Sequence, residues 1–143
     1  LEDTVLVLVA DHYAYGYGDQ NYIKNYKNTT NEYLLQNVPF IIWNSTLEHK
    51  EIDTIMDTAD ILPTLLNMLG ITYNPNYYIG TDVFSDNHEE FVYFSSDSFY
   101  DGETFYDGNV IDSSKINYIN ETISKIREKR DLNNKMIISD YFK

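Results

Sequence analysis

The chain has 143 residues and a formal charge of −13, with hydrophobic residues at 43% and no cysteine. The length fits one domain, and 14 Tyr, 7 Phe and 1 Trp argue against a disordered chain, which would be poor in aromatics. The acidic balance argues against nucleic acid and anionic membrane surfaces as partners, and the missing thiols exclude disulfide scaffolds, thiolate metal sites and cysteine nucleophiles.

In chain order, residues 4–10 (Thr-Val-Leu-Val-Leu-Val-Ala) form a continuous apolar, β-branched run. Such a run predicts a strand covered on both faces, as in a parallel sheet flanked by helices. It opens almost at the first residue, which suggests a piece of a longer protein with any anchor upstream. No apolar run approaches the roughly 20 residues that span a bilayer. Residues 13–32 are rich in Tyr, Asn and Gly and read as a long loop with one short helix; residues 33–36 read as a helical turn. A second apolar strand covers residues 38–43, with Pro39 at its start, where a missing N–H costs least.

Asp57-Thr58-Ala59-Asp60 has the short polar residues of a helix start. Ile61, Leu62, Leu65, Leu66 and Leu69 then recur at helical spacing and predict a buried stripe. Pro63 falls in the tolerant first turn, and Gly70 suits the left-handed position that stops the helix. Residues 91–94 read as a strand. The doubled Phe-Tyr-Asp-Gly at 99–102 and 105–108 supplies two turns, because glycine accepts positive φ cheaply. Residues 91–112 therefore predict a small antiparallel meander. A helix is expected over 116–130, with Ile116, Ile119, Ile123 and Ile126 on one face, and a second short helix over 132–142. The fold class is α/β with an appended antiparallel piece: a sheet and helix core over 1–85, then hairpins and C-terminal helices over 86–143.

The sharpest chemical feature is Asp11-His12. Ligands in open α/β sheets bind beyond the carboxyl ends of the strands, where this pair stands. A carboxylate beside an imidazole suits Mn²⁺, Zn²⁺ or Mg²⁺. The competing reading is an Asp and a His satisfied by loop hydrogen bonds, and the dipeptide alone does not decide between them. His49 and His88 lie in polar stretches and are expected to be exposed. Asp97, Asp101 and Asp107 lack the ligand pattern of a calcium loop, since Phe99 occupies an oxygen-ligand position and no Glu closes it. The tyrosines at 13, 15, 17, 22, 26 and 33 fit either a glycan or glycerol-phosphate groove or the packing of a long loop.

Four blocks carry a resemblance: Val-Ala-Asp-His-Tyr at 9–13, Val-Pro-Phe-Ile-Ile at 38–42, Asp-Ile-Leu-Pro-Thr-Leu-Leu-Asn-Met-Leu-Gly-Ile at 60–71, and Gly-Thr-Asp-Val-Phe-Ser at 80–85. In this order they resemble the C-terminal part of a lipoteichoic acid synthase-type phosphoglycerol transferase of the alkaline phosphatase/sulfatase superfamily. The resemblance implies a sulfatase-like sandwich, with Asp11 and His12 as ligands of a catalytic divalent metal, Mn²⁺ first and Mg²⁺, Zn²⁺ or Ca²⁺ as alternatives. The nucleophile and the remaining ligands would come from upstream, so the chain would hold half a metal site and be inactive alone. The implied substrate is a glycerol-phosphate lipid or another phosphate or sulfate ester, at the extracytoplasmic face of a bacterial membrane. A sulfatase or phosphodiesterase of the same superfamily and a non-catalytic binding domain are the alternatives. A strand cut from a larger sheet would also leave a bare edge, predicting self-association, and weak metal affinity is expected because two ligands hold an ion poorly.

Overall fold

The computed structural model describes residues 3–94, 97–109 and 113–141. They form two compact units, 1–51 and 52–143.

The first unit is built on two strands, β1 (Leu6–Val9) and β2 (Phe40–Trp43). They pair antiparallel, with Leu6 opposite Trp43 and Val9 opposite Phe40. The expected parallel arrangement is thus corrected. A parallel pair needs a crossover, usually a helix packed on the sheet. The helix between these strands, α1 (Gln20–Tyr26), has seven residues and buries none of them. An apolar run shows that both faces want cover; it does not fix the direction of its neighbour. Every residue of β1 is exposed, and Leu35 is the one buried side chain among the unit's described residues.

Three helices in the chain end in the same way. α1 is closed by Asn28 at φ 51°, with Asn28 N–H on the Asn25 carbonyl and Thr29 N–H on the Lys24 carbonyl. In the second unit, α2 (Ile61–Met68) is closed by Gly70 at φ 66°, with its N–H on Asn67 and the Ile71 N–H on Leu66. The same paired bonds close α3 (Ile116–Ile138) around Asp140 at φ 57°. This is the Schellman closure, which satisfies carbonyls that a helix end otherwise orphans.

The meander forms as expected: β3 (Val92–Tyr93), β4 (Phe99–Tyr100) and β5 (Phe105–Tyr106) pair antiparallel in that order. Gly102 and Gly108 take the positive φ that the two Asp-Gly turns require. Residues 110–112, the end of the expected meander, lie outside the described residues. Phe99 is fully buried and packs with Ile119 and Ile123 of α3, flanked by Phe91, Tyr106 and Ile126. α3 is one helix of 23 residues, not two. The sequence between the two expected helices holds no Pro or Gly, and Asn133 and Asn134 cost a helix only a fraction of a kcal/mol each, under about 0.7. Phe142, at the end of the second expected helix, is outside the described residues.

The α2 stripe also needs correction. Leu62 and Leu69 are exposed, whereas Asp60, Pro63 and Thr64 are buried. Polar hooks hold this helix. The Asp60 carboxylate accepts from Asp57 N–H at 2.8 Å and Thr81 N–H at 2.6 Å. Thr64 Oγ1 donates to the Asp60 carbonyl and accepts from Val83 N–H. Asp57 in turn accepts from Ala59 N–H and from Tyr93 N–H of β3. Gly80 lies so close to Ala59 that a Cβ would stand 2.2 Å from its carbonyl oxygen. The segment from Asp60 to residues 80–83 is therefore joined by a hydrogen-bonded seam, in which each buried polar group has a partner.

Candidate functional site

β1 delivers the chain to Asp11 and His12 two residues after its last paired residue, at a bend. The bend lets two consecutive side chains converge. Asp11 Oδ1 stands 3.4 Å from His12 Nε2, and both side chains are largely exposed. His12 Nδ1 lies 2.8 Å from the Tyr13 carbonyl. A carbonyl can only accept, so Nδ1 carries a proton. In the neutral ring, Nε2 then presents its lone pair to the Asp11 carboxylate. An anionic oxygen and a nitrogen lone pair at this spacing can share a cation. Donors on a tetrahedral ion at about 2.1 Å would be about 3.4 Å apart. The donor chemistry and spacing thus fit a divalent ion. An imidazole whose second nitrogen is pinned to a backbone carbonyl is also the common form of a histidine ligand.

The imidazole is steadied further. The Tyr15 ring lies 4.4 Å from it, centroid to centroid. Tyr15 N–H donates to the same Tyr13 carbonyl at 2.7 Å. Gln20, at the start of α1, donates to the carbonyls of Tyr15 and Tyr17. Asp19 caps α1 by accepting from Tyr22 N–H. From the end of α1, Lys27 Nζ donates to the carbonyls of Leu35 and Asn37 and lies 5.8 Å from the centre of the Tyr13 ring. Burial lowers the Lys27 pKa below the usual lysine value.

The structure brings Asp11 and His12 together and leaves the other histidines elsewhere. His49 is exposed. His88, expected to be exposed, is half-buried: its Nδ1 is 2.8 Å from Thr81 Oγ1 and its Nε2 is 2.9 Å from the Ile55 carbonyl. It serves as a crosslink, because the loop holding it folds back onto residues 55 and 81. Among the described residues no group of three or more His, Cys, Asp or Glu side chains could hold a metal. The loop tyrosines at 15, 17, 22 and 26 are exposed, so they do not form a packed loop interior. Lys27, Gln20 and the Tyr13 carbonyl are the supporting groups that the sequence reading missed.

Comparison with known proteins places this arrangement in a class first. The family model described as Sulfatase matches residues 1–71, just under half of the chain, and includes both Asp11 and His12. That match supports a likeness of those residues to the alkaline phosphatase/sulfatase superfamily. Two relatives then narrow the likeness. Lipoteichoic acid synthase 2 of Bacillus subtilis (strain 168) is 21% identical over 160 residues, covering 97% of this chain and 23% of that protein. The lipoteichoic acid synthase-like protein YvgJ of the same organism is 26% identical over 122 residues, covering 80% of this chain and 20% of that protein. The chain is thus lipoteichoic acid synthase-like and spans about a fifth to a quarter of the length of these relatives. No solved structure matches it significantly. No helix among the described residues is long and apolar enough to cross a membrane.

Proposed function

We propose that the chain is part of a metal-dependent phosphoglycerol transferase of the lipoteichoic acid synthase type, and that Asp11 and His12 are two of its metal ligands. The observation that supports this most is the converging pair at the end of β1, with Nδ1 pinned and Nε2 facing Asp11 Oδ1 at 3.4 Å. The relatives add the chemistry through their names and the coverage through their length. In this reading the other ligands and a hydroxyl nucleophile come from the part of such a protein that this chain does not cover, and the chain alone is inactive. The larger fold would be the sulfatase-like sandwich.

A bound divalent ion, Mn²⁺ first, would polarise a phosphoryl oxygen and lower the pKa of the attacking hydroxyl. Asp11 would contribute the hard anionic donor, and His12 the neutral nitrogen donor that its Nδ1 hydrogen bond keeps in the right tautomer. The substrate would be a glycerol-phosphate lipid, handled at the extracytoplasmic face of a bacterial membrane during cell-wall polymer synthesis. A second reading within the superfamily, a sulfatase or phosphodiesterase, is favoured by the description of the family model. A non-catalytic binding role is favoured by the exposure of the pair.

Mn²⁺ titration followed by NMR line broadening tests the site. Broadening centred on His12 and its neighbours, lost in Asp11→Ala, is expected; broadening spread evenly over the acidic surface sinks the site. Transfer from a fluorescent phosphatidylglycerol analogue by the complete gene product, compared with release of sulfate from an aryl sulfate, separates transferase from sulfatase.

A further inference from the structure

We propose that Lys27 is the positioning residue that fixes the tautomer and direction of the His12 imidazole, an inference that rests on the metal-ligand reading of His12. The chain of contacts is short. Lys27 caps the C-terminal end of α1, and its backbone N–H is bonded to the Ile23 carbonyl. The closure through Asn28 holds that turn rigid, so the Lys27 side chain starts from a fixed point. Its ammonium donates to the carbonyls of Leu35 and Asn37. These carbonyls belong to the turn at Leu34–Gln36 and to the residue that follows it, just before β2. Leu35 is 1% exposed, so the anchor point is the best-packed residue of its unit. The same ammonium faces the Tyr13 ring at 5.8 Å, inside cation–π range.

Tyr13 is thereby held between two constraints. Its ring rests against Lys27, and its carbonyl accepts from His12 Nδ1. β1 fixes the other end, since Val9 is paired with Phe40 of β2. Lys27 ties α1, the approach to β2 and Tyr13 into one frame, and the His12 ring hangs from that frame. Without the ammonium, Tyr13 would lose its ring contact, and its carbonyl, then held by the Tyr15 N–H alone, would be freer to turn from Nδ1–H and weaken that bond. A neutral imidazole without such an acceptor distributes its proton between both nitrogens, and Nε2 is then no longer reserved as a lone-pair donor.

The test is the ¹⁵N spectrum of the imidazole in the whole chain, recorded without metal and above the imidazole titration range. Wild type is expected to show His12 with the proton on Nδ1. Lys27→Met is expected to shift His12 toward the Nε2–H form and to weaken Mn²⁺ broadening at His12 by about tenfold or more, the usual scale for losing a group that orients a ligand. Lys27→Arg should restore both, because it keeps the cation. His88, bonded to Thr81 and Ile55, serves as an internal reference that a general loss of stability would also move. Tyr13→Leu removes the ring and leaves the carbonyls to Lys27, so it decides the matter where Lys27→Met does not fold; it too should shift the tautomer. An unchanged His12 tautomer in a folded Lys27→Met or Tyr13→Leu chain overturns the proposal. A tautomer that responds to Lys27, with no Mn²⁺ effect at His12 in any variant, upholds the positioning role and overturns the metal reading.

Discussion

Residues 1–51 and residues 52–143 solve the same problem with opposite means. The first unit spends its apolar residues on strands that remain exposed: Val5, Leu6, Val7, Leu8, Val9, Ile41 and Trp43 all face solvent. Its order comes from polar ties to carbonyls, made by Lys27, Gln20 and Asn44. The second unit buries Phe99 completely under α3 and stitches α2 to the 80–83 segment through Asp60 and Thr64. The converging Asp11–His12 pair belongs to the unit with almost no core. Sites are commonly carried on loops and strand ends, but a rigid scaffold has to hold them. In this unit the scaffold consists of charged and amide side chains bonded to backbone.

The strongest way to break this comparison is to remove the largest fully buried side chain among the described residues. Phe99 is 0% exposed and contacts the rings of Phe91, Tyr106 and Tyr118. Phe99→Ala should destabilise the chain by about 3–5 kcal/mol, as truncation of a buried aromatic does. Urea unfolding followed by far-ultraviolet circular dichroism reads this through the loss of α3. A change below about 1 kcal/mol would mean that packing around Phe99 does not hold the second unit.

The next test concerns the polar seam. Asp60→Ala strands the N–H groups of Asp57 and Thr81. Hydrogen bonds to a charged group are worth roughly 1.5–3 kcal/mol, so a loss of about 2–3 kcal/mol is expected in the same unfolding measurement. Asp60→Asn keeps one acceptor and should fall between. Equal stability of all three proteins would show that the leucine stripe, rather than the seam, secures α2.

The seam also shows what could be read in advance. The strands, the places of the helices and the meander were legible from apolar periodicity and turn chemistry, because those signals are local, although α3 was expected as two helices. The direction of β2 was not, since pairing direction depends on what covers the faces. The exposure of Leu62 and Leu69 was not legible either: an apolar stripe at helical spacing promises a partner without supplying one. Asp60, Thr64 and Gly80 could be placed in motifs, yet their contacts join residues about twenty positions apart, beyond any periodic signal. For the site, Asp11 and His12 stood out by their place after a strand, and the ligand role came from the resemblance carried by the block at residues 9–13. The Tyr13 carbonyl and Lys27 were invisible, because backbone acceptors and a single lysine leave no pattern.

A smaller effect separates the two units by pH. Asp97 joins the β3–β4 connection to α3 through Arg127, with Arg130 nearby. The Arg127 hydrogen bond holds the Asp97 carboxyl below its ordinary pKa, against burial, which pushes it up. Its folded value is therefore below its unfolded value. The stabilisation is fully present above the usual aspartate range, about pH 4, and is lost as pH falls through the folded value. Asp97→Asn should be less stable than wild type at neutral pH, with the difference shrinking below about pH 4. Thermal unfolding at a series of acidic pH values checks this; a constant difference across the series would remove Asp97 from the linkage.

The smallest effect on stability should come from β1, and it bears most directly on what the first unit lacks. Leu8 is 57% exposed. Leu8→Thr introduces a β-branched side chain that suits a strand and removes apolar surface, so it should change stability by less than about 0.5 kcal/mol, as surface substitutions do. Its effect on association should be larger. Among the described residues β1 pairs only with β2, which leaves its other backbone edge open beside a row of apolar side chains. Open, apolar edges recruit further strands, and a charge on the edge blunts them. Light scattering over a wide concentration range should therefore show self-association of the wild-type chain, less with Leu8→Thr and least with Leu8→Lys. A monomeric wild type at every concentration would show that the polar ties of the first unit leave β1 unreceptive. A Leu8→Thr cost comparable with that of Phe99→Ala would show that β1 is covered in solution and that the contrast between the two units is one of degree.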